Sequence, residues 1–292
     1  MDNFLLKIKQ IFKNGNTLTR LIYINAGVFI IIRLALIVCT LFKLEDFIFT
    51  INLQMPSSLY LLSIRPWTLF TYMFIHYDFL HIIFNMLWLY WFGMIFLQVF
   101  NEKQLGALYI LGGLAGGTLF ILSYNTFPYF SDVNEFSFLI GASASVMAIV
   151  FAIAFYRKNF EINLLLIGRV KLIYLAVGIF LLDLLTITSD NTGGHIAHIG
   201  GALLGILFAM QMKKGKDLTT PVVRLMDWFA NIRKPKPKMK VTFHKREKDY
   251  TYNENRNKDN ADIDAILDKL KRSGYESLSS EEKKRLFDAS KS

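Results

Sequence analysis

The chain has 292 residues, of which 53% are hydrophobic and 26 are phenylalanine. This composition is too apolar for a soluble globular domain of this size, and it indicates a polytopic membrane protein. The formal net charge is +10, and most lysines and arginines lie in the first twenty residues and after Met212. The single cysteine, Cys39, excludes an intrachain disulfide framework.

The N-terminal segment, residues 1–20, is basic and amphipathic. It has no small-residue cleavage site after a short apolar core, as a removed signal peptide would have. We therefore predict a cytoplasmic lead-in that lies along the membrane surface.

Six apolar stretches then follow, each with close to the roughly 20 residues that a bilayer-spanning helix needs. They are residues 22–42, 81–99, 105–124, 138–156, 172–188 and 195–212. The segment between the first two contains "RPWTLFTYMF" and is predicted to lie at the interface, where Trp and Tyr concentrate. The sequence therefore predicts an all-α membrane domain of six transmembrane helices over residues 21–212.

Positive charge alternates between the connecting segments. The N-terminal tail, the loop with Lys103, the loop between spans four and five and the C-terminal tail are basic, whereas residues 125–137 and 189–194 carry only acidic charges. Cytoplasmic loops carry the excess of Lys and Arg. Both termini are therefore predicted to be cytoplasmic.

The remaining chain is predicted to form a separate cytoplasmic region. Residues 213–260 contain "IRKPKPKMK" and are expected to be a basic linker that contacts anionic lipid. Residues 261–292 are predicted to form a small helical hairpin, with Gly274 as the stop and a capping box from Ser279 and Glu282. Two short helices bury little surface, so we expect this hairpin to dock on a protein partner or on the membrane domain.

Polar residues of three spans fall at similar depth near the outer boundary. Spans two, four and six all run inward, and His81 and Asn85, Ser143, and His195 and His198 lie near their respective starts. Each has an ordinary structural explanation: a lone serine packs between helices, and a histidine at a helix end, such as His76, lies at the interface. Their coincidence at one depth favours a shared site.

Small residues predict close contact between spans four and six. Gly201 and Gly205 form a small face on span six, and Gly141, Ala144, Ser145 and Ala148 form one on span four. Such contact would bring His198 to a serine, either Ser143 or Ser145, and spacing alone does not choose between them.

These residue types suit acyl transfer. A serine hydroxyl becomes a nucleophile when histidine takes its proton. His81 and Asn85, four apart on one helix face, and the backbone N–H of Ser143 could stabilise an oxyanion. Because no acidic residue lies beside His198 in sequence, a Ser–His dyad is favoured over a triad.

The motifs "HIIFN" at residues 81–85, "GASAS" at 141–145 and "AHIGGALLG" at 197–205 resemble those of the rhomboid family of intramembrane serine proteases. The resemblance covers about residues 20–212. It implies Ser143 as nucleophile with Ser145 as packing, His198 as general base, and His81 and Asn85 as oxyanion donors. It also implies that Gly201 and Gly205 serve the packing of span six against span four, whose small face includes Gly141. Ala144 departs from the commoner glycine, and the first loop lacks the Trp–Arg pair found in many members.

The resemblance implies cleavage of single-span membrane proteins within or near their transmembrane segments, in contact with membrane lipids and without nucleic acid. We expect the protein in the bacterial inner (cytoplasmic) membrane, with the active site opening to the outer side. No cofactor is expected. No metal is expected either, because His195 and His198 have no carboxylate or thiolate beside them in sequence.

The sequence leaves two alternatives to proteolysis. A catalytically inactive rhomboid-like chaperone or quality-control factor would bind transmembrane helices without cutting them, but it would lack the serine or histidine. A small transporter is suggested by Arg33 and Asp183 within predicted spans, but the sequence has no inverted repeat to support it.

Overall fold

The computed structural model describes residues 14–44, 50–164, 168–185, 191–232 and 247–290, together with positions 6, 10–12 and 187. These residues are mainly α-helical. The chain divides into two compact units, Met1–Arg233 and Lys234–Ser292.

The helices of the first unit are α1 (Thr17–Leu41), α2 (Leu59–Ile64), α3 (Thr68–Thr71), α4 (Phe79–Leu97), α5 (Glu102–Thr126), α6 (Ser143–Tyr156), α7 (Leu172–Leu185), α8 (Thr192–Lys213) and α9 (Thr220–Asn231). Its strands form two antiparallel pairs, β1 (Met55–Pro56) with β2 (Phe138–Leu139) and β3 (Glu161–Leu164) with β4 (Gly168–Lys171). The second unit contains α10 (Glu247–Ser273) and α11 (Ser280–Ala289).

Among the described residues, α1, α4, α5 and α8 are long and apolar enough to cross a membrane. The apolar helices α6 and α7 are shorter, with 14 residues each. At 1.5 Å per residue each is roughly 21 Å long, against about 30 Å for a hydrocarbon core. The long helices make the chain an integral membrane protein.

The fourth predicted span, residues 138–156, is helical only from Ser143 onward. Its first residues form β2, which pairs with β1. Gly141 then adopts a φ of +106° and donates its N–H to the carbonyl oxygen of Tyr72 at 2.9 Å. Hydropathy did not locate this break because a short buried strand and a buried helix are equally apolar.

Helix α6 lies at the centre of the first unit, and every residue from Ala144 to Ala154 is buried. Helix α5 packs on it through small residues. A Cβ added at Gly116 would lie 2.5 Å from the Cβ of Ala144. The core is therefore built around α6, which is covered by protein rather than by lipid.

Two glycines allow α8 to approach α6 closely. A Cβ at Gly201 would collide with the carbonyl oxygen of Ala144, and a Cβ at Gly205 with that of Ala148. A backbone oxygen cannot move aside as a flexible side chain can. Any larger residue at these positions would push α8 away from α6.

Buried polar groups tie α1 and the turn Tyr72–Phe74 to α5. Asn25 is fully buried, and its Nδ2 donates to the hydroxyl of Tyr109 at 3.1 Å. Tyr109 donates in turn to the carbonyl of Met73 at 3.0 Å, and Tyr72 donates to the carbonyl of Gly113 at 2.6 Å. Such bonds are required where neither water nor lipid supplies partners.

The described parts of the predicted linker, residues 213–232 and 247–260, contain helical structure, and the rest, with most of "IRKPKPKMK", lies outside the described residues. Helix α9 packs on α5, where the Lys103 ammonium lies 2.8 Å from the Asp227 carboxylate. Asp217 lies just before α9 and accepts a hydrogen bond from the Gln104 amide of α5 at 2.8 Å. Partial burial acts to raise the pKa of Asp217, but the hydrogen bonds from Thr219 and Gln104 together outweigh it and lower the pKa.

In the second unit, α10 begins at Glu247, before the boundary predicted at residue 261. Residues 247–260 carry no apolar stripe, so hydrophobic periodicity could not detect this part of the helix. Gly274, with a φ of +79°, follows α10. Ser279 and Glu282 form a capping box at the start of α11, and bonds from the Ser279 N–H and Lys269 lower the pKa of Glu282.

Candidate active site

A cavity of about 280 Å³ collects four of the residues singled out from the sequence. His81 and Asn85 reach it from α4, Ser143 from α6 and His198 from α8. Its other lining residues are Phe84, Trp88, Val146, Met147, Ile179 and Asn191. Three helices distant in sequence thus contribute polar groups to a cavity with an otherwise largely apolar wall.

Ser143 is the first residue of α6. The left-handed turn at Gly141 and the bond from its N–H to Tyr72 fix the chain just before the helix. The N–H groups in the first turn of a helix have no intrahelical acceptor. The hydroxyl of Ser143 therefore lies beside backbone N–H groups, including its own, that have no acceptor within the helix.

Ser145 differs from Ser143 in its surroundings. It is fully buried, and it is not among the residues that line the cavity. Its backbone faces α5, with the Ser145 Cα 3.2 Å from a Cβ built on Gly112. Its Oγ has no hydrogen-bond partner among the described residues. Ser143 therefore lines the cavity, and Ser145 does not.

His198 is held by an acidic side chain from α7. Its Nδ1 lies 3.0 Å and 3.1 Å from the two carboxylate oxygens of Asp183. With the proton on Nδ1 donated to Asp183, the Nε2 lone pair is left to accept a proton. The preference for a dyad depended on the lack of an acidic residue beside His198 in sequence, and Asp183 contacts His198 from another helix, 15 residues earlier.

Asp183 also contacts a second histidine. The Nδ1 of His195 lies 2.7 Å from Asp183 Oδ1, and His195 is not among the cavity-lining residues. The two rings are nearly perpendicular, with centroids 5.9 Å apart. Asp183, His195 and His198 thus offer ligand atoms that all lie within 4.8 Å of one another. The sequence-based reason for expecting no metal, the lack of a carboxylate, does not hold.

His81 and Asn85 stand beside the start of α6. A point at the Cβ position of Gly141 lies 3.0 Å from His81 Nε2 and 3.8 Å from Ser143 Oγ. The Asn85 amide donates to the carbonyl of His81 at 3.1 Å. A side chain at position 141 would fill the space between His81 and Ser143, which gives the glycine a role at the site itself.

His76 contacts both Asn85 and the residue before Ser143. It is fully buried, and its Nε2 lies 3.3 Å from Asn85 Nδ2 and 3.4 Å from the backbone N of Ala142. Burial, and then the proximity of His81, lower the pKa of His76 to about 4. A neutral His76 can accept from these donors, so it positions both Asn85 and the residue that precedes Ser143.

Two residues of the site were missed by sequence reasoning. Asp183 was noted only as a possible ion-path residue, and its isolation in an apolar span was the signal that it needed a partner. Asn191, which precedes α8, lines the cavity and was not singled out. An Asn at a helix start is common enough that its sequence gives no functional signal.

A family model described as a rhomboid domain matches residues 64–214. The chain belongs to the rhomboid family. The resemblance recognised from the three motifs is therefore confirmed, and all four predicted site residues in the cavity lie within the matched region.

The chain is also similar to the RHOMBOID-like protein 12, mitochondrial, of Arabidopsis thaliana. The two are 28% identical over 207 residues, which is 67% of this chain and 58% of that rhomboid relative. A second family model, of a family of unknown function (DUF6576), matches residues 246–292. That match coincides with the helices α10 and α11 of the second unit.

Proposed function

We propose that this rhomboid is an intramembrane serine endopeptidase that cleaves single-span membrane proteins within or near their transmembrane segments. The observation that carries the proposal is the shared cavity of Ser143, His198, His81 and Asn85. It combines a nucleophile, a base and oxyanion donors, which are the groups that acyl transfer requires.

In the first step, Ser143 Oγ attacks the carbonyl carbon of the scissile peptide bond while His198 Nε2 takes the hydroxyl proton. The Asp183 carboxylate accepts from His198 Nδ1, which fixes the tautomer and stabilises the imidazolium as it forms. The proposed arrangement is therefore a Ser–His pair with Asp183 as a positioning residue, rather than a dyad alone.

The attack turns the carbonyl oxygen into an oxyanion. We assign its stabilisation to His81, Asn85 and the backbone N–H of Ser143. His76 keeps Asn85 in place through the 3.3 Å contact between Nε2 and Nδ2. Both Nδ2 hydrogens of Asn85 are directed elsewhere in this structure, to the His81 carbonyl and to His76 Nε2, so Asn85 has to release one of them to donate to the oxyanion. Loss of one oxyanion donor typically lowers the rate about 10²–10³-fold.

In the second step, the C–N bond breaks and His198 gives its proton to the leaving amine, which leaves Ser143 acylated. A water molecule then attacks the acyl carbon while His198 takes one of its protons. Collapse of this intermediate releases the carboxylic acid and restores the Ser143 hydroxyl. The polar side chains of the cavity provide a route for that water.

The proposed topology has six membrane crossings, with α6 and α7 as short helices of the bundle, and both termini in the cytoplasm. The basic loops support this orientation, and it makes the cavity open away from the cytoplasm. A substrate helix must unwind locally, because the hydrogen bonds of a helix shield its peptide groups. The C-terminal unit is proposed to bind a protein partner.

The proposal is tested by cleavage of a single-span reporter in proteoliposomes. We expect wild type and Ser145→Ala to cut the reporter, and Ser143→Ala and His198→Ala to lose cleavage while remaining folded. Cleavage by Ser143→Ala would remove Ser143 as the nucleophile. A wild-type protein that binds the reporter without cutting it would favour the inactive, helix-binding alternative.

A further inference from the structure

The Asp183–His195–His198 cluster contains a side chain, that of His195, which the proposed hydrolysis does not use. Catalysis uses one contact between Asp183 and His198, yet His195 makes the shorter contact to the same oxygen, 2.7 Å against 3.0 Å. The three side chains are only 11–17% exposed. Two imidazoles and one carboxylate thus converge at the edge of the cavity.

This donor set suits a zinc ion. Zinc is bound by two histidines and a carboxylate in open tetrahedral sites, with bonds of about 2.0–2.2 Å. Neighbouring ligand atoms of such a tetrahedron lie roughly 3.3 Å apart. The atoms here already lie 2.7 Å and 3.0 Å apart along two edges, and all within 4.8 Å. Small side-chain movements would complete the geometry.

We propose that Asp183, His195 and His198 form an inhibitory zinc site. Its inhibitory effect rests on the proposed function, whereas zinc binding itself does not. An ion on His198 Nδ1 uses the lone pair of that nitrogen, so the ring proton moves to Nε2. A protonated Nε2 cannot accept the proton of Ser143, and Asp183 would be engaged by the ion instead of by His198.

Metal binding can be measured without any activity assay. The full-length protein in detergent is titrated with Co²⁺, whose visible absorption reports a tetrahedral site, and Zn²⁺ is then used to displace it. We expect one site per chain in wild type, and an affinity at least about 10-fold weaker in His195→Gln. The matched control is His244→Gln, a histidine of the basic linker sequence, which should bind as wild type does.

The second readout is labelling of the active serine by a fluorophosphonate probe during a Zn²⁺ titration. We expect zinc to block labelling of wild type and His244→Gln, and excess chelator to restore it. His195→Gln should need at least about 10-fold more zinc for the same block.

Three outcomes would overturn the proposal: no Co²⁺ binding, equal zinc sensitivity of His195→Gln and wild type, or labelling that is abolished by chelator alone. The last would mean that a metal is required rather than inhibitory. If wild type is not labelled under any condition, the proposed hydrolysis fails, and the Co²⁺ titration still decides whether the site exists.

Discussion

Helices α6 and α7 have the same length and similar apolar sequences, yet their surroundings are opposite. In α6, every residue from Ala144 to Ala154 is buried. In α7, by contrast, the buried residues are Leu172, Ala176 and Asp183, and Leu185 is 78% exposed. The proposed nucleophile, Ser143, therefore begins a helix that is packed on all sides. Asp183, the acidic partner of His198, lies on a peripheral helix.

The difference shows two ways of positioning a polar side chain in an apolar helical domain. Ser143 is placed by the close packing of α5 and α8 against α6, which leaves the backbone little freedom. Asp183 is placed by polar contacts, because a carboxylate in an apolar helix is stabilised by the two histidines of α8. The first arrangement is sensitive to volume, and the second to charge and hydrogen bonding.

The largest loss of stability and of activity is expected when a glycine that faces α6 is replaced by a larger residue. In Gly201→Ala, the new Cβ would overlap the carbonyl oxygen of Ala144, so α8 must move and the site with it. We expect a loss of stability of about 1–3 kcal/mol and loss of probe labelling. The matched control is Gly178→Ala in α7, where an added Cβ meets nothing within 4 Å. Equal thermal unfolding of the two variants in detergent would refute the contrast.

A smaller but still large effect is expected from Asp183→Asn. The change preserves shape but removes the charge that stabilises the His198 imidazolium, so we expect a decrease in reporter cleavage between about 10-fold and 10⁴-fold. Stability should change far less than in Gly201→Ala. Leu184→Ala, at an exposed neighbour on α7, is the control and should cleave normally. Normal cleavage by Asp183→Asn would leave Asp183 without a part in catalysis.

Acid should destabilise the fold through His76, which contacts Asn85 and the backbone N–H of Ala142. The folded protein keeps His76 neutral down to a pKa of about 4, whereas the unfolded chain takes up this proton near pH 6.5. The unfolded state thus binds more protons between pH 6.5 and 4, and stability falls as the pH falls through this window. Between pH 6.5 and pH 4, we expect the free energy of unfolding to fall by about 1–3 kcal/mol more in wild type than in His76→Gln, as measured by thermal unfolding. Identical pH profiles would show that His76 makes no such contribution.

The smallest effect is expected from removal of the second unit by truncation after Arg233. This variant retains α9, whose residue Asp227 pairs with Lys103 of α5. We expect reporter cleavage in proteoliposomes to match that of the full chain, because every residue that lines the cavity lies before the cut. Loss of cleavage would make the second unit part of the working enzyme.

The sequence predicted the cavity better than it predicted the contacts within it. His81, Asn85, Ser143 and His198 stand out because polar groups are rare in apolar spans, and span direction gives their depth. The pairing of Asp183 with His198 depends on how α7 packs beside α8, and neither periodicity nor spacing encodes it. The motifs could name the residues of the site, but its acidic partner required the tertiary structure.

The limits of the secondary-structure prediction have the same origin. The start of α6 at Ser143 depends on β1, more than eighty residues earlier, which pairs with β2 and turns residues 138–142 away from a helix. Helix α9 was missed because the basic residues on either side of it favoured a linker, although Thr220–Asn231 itself has apolar residues at helical spacing. Local patterns located the apolar helices but not these ends.

The most direct test of the account is to identify which residue a fluorophosphonate probe modifies in the full-length protein. Mass spectrometry of the labelled peptide should find the probe on Ser143 in wild type and in Ser145→Ala, and no label in Ser143→Ala. A label that persists in Ser143→Ala, or a folded wild-type protein that takes up no probe, would show that Ser143 is not the nucleophile.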